Sequence, residues 1–214
     1  MLEDLKHRVC KMNKQLYQKG LVAMTSGNVS GRDPEKNLVV IKPSGMPYES
    51  MGVEDMVVVN LNGKVIEGDN KPSSDTSSHL YVYRNMNKVN GIVHTHSNYA
   101  TSFAALGEPI QACLTQIADE FGGDIPTGPF VPIGGEDIGK AIVENIGDST
   151  GILLKNHGVF TIGDKPESAL KSAVMLEDAA KTVHLAETRG NPERLPQEVI
   201  EQAYKRYQKN YGQN

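Results

Sequence analysis

Cysteine is scarce, long apolar runs are missing, and no block of basic residues occurs anywhere in the chain. Each absence removes a class of function. Cys10 and Cys113 have neither metal-ligand spacing nor the number needed for a disulfide framework, so a cysteine zinc cluster and a disulfide-stapled scaffold are excluded. No apolar stretch approaches the roughly 18 residues that a bilayer crossing needs, so membrane insertion is not expected. With Lys+Arg 22 against Asp+Glu 26 and a formal net charge of −4, nothing favours a nucleic-acid partner, and any anionic ligand must be held by local groups. Met1-Leu2-Glu3-Asp4 opens an amphipathic stretch and not a basic-then-apolar signal region. A reducing cytoplasm is the expected address. What remains is 214 residues with 38% hydrophobic and 22% charged side chains, enough for one sizeable core. One domain spanning residues 1–214 is expected.

Periodicity gives the outline. Leu2, Leu5, Val9, Met12 and Leu16 are spaced for a helix over residues 2–19, stopped by Gly20. Short strands follow at 27–30, 38–41, 56–61 and 64–68, with Asn62-Gly63 as the strongest hairpin signal. A helical pattern returns between Ser74 and Met86, where His79, Leu80, Val82 and Tyr83 bury one side. Further helices are expected from Asn98 to Leu106, Asp137 to Ile146, Pro166 to Arg189 and Pro196 to Gln208, the last two parted by Gly190-Asn191-Pro192. The stretch from Gln111 to Ile117 reads as a short, ambiguous strand. No repeat or linker interrupts this order. The fold class is therefore α/β, a single domain with a mixed or antiparallel sheet flanked by helices.

His94-Thr95-His96 ends the run Val89 to Val93, and two imidazoles one residue apart on a strand leave from the same face. That is how two ligands reach one ion. His157 follows a second apolar run, Gly151 to Leu154, just before Gly158, so both segments deliver histidine to one end of a sheet. Three neutral nitrogen donors suit a catalytic divalent metal that keeps a position open. A lone histidine would be read as an ordinary strand residue; the HxH pair with a matching third favours metal.

Three turns have the composition of an anion cradle: Thr25-Ser26-Gly27-Asn28, Lys42-Pro43-Ser44-Gly45 and Lys71-Pro72-Ser73-Ser74. Each offers backbone amides with hydroxyl or amide donors, and two set a lysine beside a proline bend. Taken singly they are turns and caps; two Lys-Pro-Ser turns shift the balance toward an anion site. Asp75 is either a helix N-cap or a carboxylate aimed at the metal, and spacing does not separate the two. Asp119, ahead of Gly122-Gly123, and Tyr211, in the tail, read by themselves as a loop acid and a fraying end.

Gly27-Asn28-Val29-Ser30, Lys42-Pro43-Ser44-Gly45, Lys71-Pro72-Ser73-Ser74-Asp75, His94-Thr95-His96 and Asn156-His157-Gly158, in this order and spacing, resemble the class II sugar-phosphate aldolase and epimerase family. The likeness runs from Met1 to the Tyr211-Gly212-Gln213 terminus and favours the epimerase branch. It implies a central, mainly antiparallel sheet covered by helices, a homotetramer with sites between neighbouring subunits, and one divalent ion per subunit, of the zinc type (Zn2+). Carried over, it makes His94, His96 and His157 metal ligands, with Asp75 beside the metal where the aldolase branch has a glutamate. It puts Asn28, Ser44, Gly45, Ser73 and Ser74 on the phosphate-binding positions, with Thr25 a further candidate and Lys42 close to substrate. Asp119 matches the proton-transfer carboxylate, and Tyr211 matches a tyrosine given by the adjacent subunit. The departures are Ile117 where epimerases have a histidine, no match for a histidine of their final helix, and a shorter stretch between Gly122 and Gly151.

The activity the resemblance implies is inversion of the fourth carbon of a phosphorylated ketopentose by reversed aldol cleavage and re-addition, the metal acting as Lewis acid. Three rivals stand beside it. A true aldolase of the L-fuculose-phosphate type would release both fragments; a non-catalytic adducin-like head would have lost the metal histidines; a zinc-stabilised domain would close the coordination sphere with a fourth ligand.

Overall fold

A computed structural model describes residues 2–210. Helix α1 covers Glu3–Gln18 with Leu5, Val9, Met12 and Leu16 inward, Glu3 and Asp4 in its first turn, and left-handed Gly20 beyond its end. Strands β1 (Asn28–Asp33), β2 (Leu38–Ile41), β3 (Val57–Asn60) and β4 (Val65–Glu67) follow, then α2 (Thr76–Asn85), β5 (Gly91–Thr95) and α3 (Asn98–Leu106). After α4 (Thr115–Phe121) come β6 (Thr127–Gly128), α5 (Asp137–Asn145), β7 (Gly151–Leu154), β8 (Gly158–Gly163), α6 (Pro166–Glu187) and α7 (Gln197–Asn210).

Among the described residues all strands join one 8-stranded sheet in the order β4-β3-β2-β1-β5-β8-β7-β6. Every pairing is antiparallel except the short parallel contact of β6 with β7. The single α/β domain and its mainly antiparallel sheet match the expectation. Alternation along the strands sorts the core into two sides. Val39, Ile41, Ile92, Ile152, Phe160 and Ile162 face α2 and α5. Val40, Val58, Val93, Leu153 and Val159 face the other way, onto α1, α3, α4 and α6. A sheet between two helical layers buries both faces, which is why its central strands read as unbroken apolar runs.

Two expectations are corrected. Residues 115–117 are helical, not strand: Ile117, Ala118 and Phe121 form one buried side of α4, and left-handed Gly122 stops it, its amide donating to the Ala118 carbonyl. Of the expected short strand only an isolated bridge remains, Ile110 opposite Ile125. The second histidine segment is a hairpin rather than a strand end. Asn156 takes a left-handed φ of 57 between β7 and β8, so His157 stands in the turn.

Candidate metal centre and anion cradle

Register places the first ligand. Asn28 of β1 lies opposite His94 of β5, and His94 lies opposite Phe160 of β8, so the three side chains share the α2 side of the sheet. The His94 ring stacks on Phe160 with centroids 4.1 Å apart, and its Nδ1 donates to the Val159 carbonyl at 2.9 Å. That bond fixes the tautomer and turns Nε2 outward. His96, two residues on, shares the face, with ring centroids 4.7 Å from His94. His157 arrives from the β7–β8 turn, 4.9 Å from His94 and 5.3 Å from His96.

One ligand atom from each of the three imidazoles lies within 4.8 Å of the others. The donor set fits a divalent ion on two further grounds. Burial pushes the His94 imidazole down to about 3, and burial with the His96 neighbour pushes His157 below its ordinary value, so both are neutral, the ligating form, at neutral pH. His157 Nδ1 is also buried without a hydrogen-bond partner among the described residues, a polar atom that the fold alone leaves unsatisfied.

The three anion-cradle turns, far apart in sequence, line the same cleft of about 360 Å³ as the histidines, with Ile133 at its mouth. They are stitched together. Ser44 N–H donates to the Lys71 carbonyl at 2.8 Å and Ser73 N–H to the Lys42 carbonyl at 3.0 Å, pairing the second turn with the third. Asn28 Nδ2 reaches Ser73 Oγ at 3.1 Å, joining first to third. Lys42 Nζ donates to the Thr25 carbonyl at 3.1 Å and lies 4.7 Å over the Tyr48 ring. Burial lowers the Lys42 ammonium's pKa, while the Asp75 carboxylate pulls it back up. Gly27 and Gly45 both have left-handed φ, and a side chain at Gly27 would meet the His94 carbonyl at 2.8 Å, so this loop can approach the metal strand only as glycine.

The two readings of Asp75 separate here. It occupies the N-cap position of α2 but makes no capping bond; its Oδ2 accepts from Asn28 Nδ2 at 2.7 Å, inside the cleft. It stands outside the three-histidine cluster. Burial works against its ionisation, and the facing His94 and His79 with the Asn28 hydrogen bond outweigh it, holding the carboxyl below its ordinary range. Asp119 is not in this cleft. It lies on α4 with its Oδ1 paired to Arg206 of α7 at 3.0 Å. Tyr211 falls outside the described residues.

Sequence reasoning missed two supporting side chains. Tyr48, 1% exposed, places its hydroxyl 2.8 Å from the carbonyls of both Ser26 and Gly27 and so braces the first cradle. His79 forms with Ser30 Oγ and the Tyr83 hydroxyl a buried chain of two 2.7 Å contacts behind Asp75. The only available signal was polar residues at buried helical positions, which does not name their partners.

The fold and the donor set describe an α/β scaffold with three histidines placed to hold a metal ion beside three donor-rich turns. Residues 7–184 match the Class II Aldolase and Adducin N-terminal domain. The chain belongs to this family, whose class II aldolases use a divalent metal. Among solved structures it is similar to an L-fuculose 1-phosphate aldolase at 33% identity, covering 96% of each chain with a TM-score of 0.89. It shares the fold of YgbL from Escherichia coli at 22% identity, covering 94% of this chain and 98% of that one, TM-score 0.83. It also shares the fold of an L-fuculose 1-phosphate aldolase from Glaciozyma antarctica PI12 at 24% identity, covering 95% and 81%, TM-score 0.82. No helix among the described residues is long and apolar enough to cross a membrane.

Proposed function

We propose that the chain interconverts L-ribulose 5-phosphate and D-xylulose 5-phosphate by cleaving and re-forming the bond between the third and fourth carbons. The observation that carries this reading is Asp75: the one carboxylate that lines the cleft among the described residues is held by Asn28 at 2.7 Å and is one methylene shorter than the glutamate of the aldolase branch. An acid committed to such a contact is poorly placed to shuttle protons, so proton transfer falls to groups brought from elsewhere. The resemblance supplies them as Asp119 and Tyr211.

His94, His96 and His157 would hold the divalent ion, Zn2+ in the first place, with Asp75 beside it. When bound, the ion supplies Lewis acidity toward adjacent oxygens of the ketose. The chain's own residues do the rest. Asn28, Ser44, Gly45, Ser73 and Ser74 bind the phosphate with amide and hydroxyl donors, and Lys42 adds a positive charge at the cradle floor. Tethering the phosphate keeps the aldehyde fragment in the cleft while its carbonyl rotates, which separates epimerisation from release. Asp119 and Tyr211 then serve opposite faces, one taking the hydroxyl proton and the other returning one. Because Asp119 lies away from its own chain's cleft, we assign it to a neighbouring subunit's site, in a homotetramer of the family type. The two free thiols, Cys10 and Cys113, suit a cytoplasmic address.

A second reading has its own support. The 33% identity to an L-fuculose 1-phosphate aldolase over 96% of both chains favours an aldolase that lets both fragments go. One experiment separates them: turnover of L-ribulose 5-phosphate by zinc-loaded protein, following D-xylulose 5-phosphate and free glycolaldehyde phosphate, with a chelated control. Inverted pentulose without free aldehyde, lost on chelation, supports the epimerase. Free aldehyde without inversion supports the aldolase.

A further inference from the structure

The three histidines are not anchored alike. His94 is fixed by its bond to the Val159 carbonyl and its stack on Phe160, and His157 by the β7–β8 turn. His96 is exposed, lies one residue past the end of β5, and has no ring-nitrogen hydrogen bond among the described residues. Its direction therefore depends on the path of the main chain on either side. Before it, Thr95 pairs with Val159. After it comes Ser97, the N-cap residue of α3, whose side chain makes no capping bond.

The cap comes from another helix. Glu177 of α6 accepts the Tyr99 N–H on Oε1 at 3.0 Å and the Ala100 N–H on Oε2 at 2.9 Å. These are among the amides that a helix start leaves without intrahelical partners, and a carboxylate there also meets the positive end of the helix dipole. The same α6 surface grips Tyr99 further, with His184 at 5.6 Å between ring centroids and Lys181 Nζ at 5.6 Å from the ring.

We propose that Glu177 is a positioning residue of the metal centre: by clamping the first turn of α3 it fixes the chain directly after His96 and sets that ligand's aim. The proposal rests on the reading of the three histidines as a metal site. A local Ser97 cap would satisfy amides without tying the segment to the core. Glu177 ties it to α6, the helix packed beneath β5 and β8.

The test is metal affinity of the apo protein, measured by competition of Zn2+ against a chromophoric chelator, for wild type, Glu177→Gln, His96→Ala and the double variant. Arg8→Gln is the control for a lost bidentate contact far from the histidines, since Arg8 clamps Glu167 at 2.8 and 2.7 Å. Glu177→Asp replaces Glu177→Gln if the latter fails to fold. Glu177→Gln is expected to weaken Zn2+ binding about 10-fold or more, Arg8→Gln to leave it unchanged, and Glu177→Gln to add nothing once His96 is alanine. Wild-type affinity in Glu177→Gln, or the same loss with and without His96, overturns the positioning role alone. Absence of tight Zn2+ binding by wild type overturns the metal reading and the proposal with it.

Discussion

Asn28 and Asp75, 47 positions apart, meet at 2.7 Å, Nδ2 donating to Oδ2, at the seam between the anion cradle and the histidine cluster. One side chain thereby serves both halves of the cleft, since the same Nδ2 reaches Ser73 Oγ at 3.1 Å. Replacing Asn28 by alanine strips a half-buried carboxylate of its donor and loosens the third turn. Losing a charge-assisted bond costs on the order of 1.5–3 kcal/mol, so kcat/KM is expected to fall roughly 10- to 100-fold. Metal content by atomic emission stays at one ion per chain, because the histidines are untouched; loss of the ion would instead make Asn28 part of the metal site.

Asp119→Asn and Tyr211→Phe are expected to lower kcat by a factor on the order of 10²–10⁴, the range for a removed general acid or base, with bound metal unchanged. Arg206→Gln is the comparison, since it breaks the exposed ion pair to Asp119 without touching the carboxylate, and such pairs contribute about 1 kcal/mol at most. Undiminished turnover in either of the first two variants removes that residue from the mechanism.

Gly158 closes the hairpin turn against β5. A methyl group there would lie 2.6 Å from His96 Cδ2 and 2.6 Å from the Thr95 carbonyl oxygen. The oxygen belongs to the β5–β8 ladder and cannot retreat freely. Gly158→Ala is expected to lose about 1–3 kcal/mol of stability in urea denaturation and to weaken Zn2+ binding as His96 is pushed aside. Gly123→Ala, which meets nothing within 4 Å, should match wild type in both.

His79 gives a pH dependence with a definite sign. Burial depresses its imidazole to about 4 in the folded chain against 6.5 unfolded. Above 6.5 both states are neutral. Between 6.5 and 4 the unfolded state takes a proton that the folded state refuses, so stability falls as pH falls. His94, depressed by burial to about 3, adds the same sign over that window, and His157 does so in the same direction. In metal-free protein, the urea-derived stability of His79→Gln should decline less steeply from pH 6.5 to 4.5 than that of wild type, by up to about 1.4 kcal/mol per pH unit. Equal slopes would show that His79 does not titrate in this window.

The ordered elements with strong periodicity were legible because their signals are local. The apolar spacing of Leu5, Val9, Met12 and Leu16 and the Asn62-Gly63 turn need no partner to be read. Helix α4 was not, because seven residues carry fewer than two full periods, and Ile117 fits a strand as well as a helix until Phe121 and Gly122 close the turn. The turn carrying His157 was misread for a similar reason, since a left-handed Asn156 leaves only a weak mark in sequence.

By itself the sequence determined the chemistry available here: three imidazoles in or just after apolar strand runs, three turns rich in small donors, and a buried-sheet pattern to carry them. Residue type and spacing along a strand fix which side chains share a face, because the period of two is a property of the backbone. Tertiary structure alone decided which groups meet. Strand order brought His157 beside His94 through β8, register set Asn28 opposite His94, and the fold of α2 turned Asp75 away from capping its own helix and toward Asn28. It also put Asp119 outside its own cleft and gave the cap of α3 to Glu177. Such meetings depend on how layers pack over distances that local periodicity does not encode.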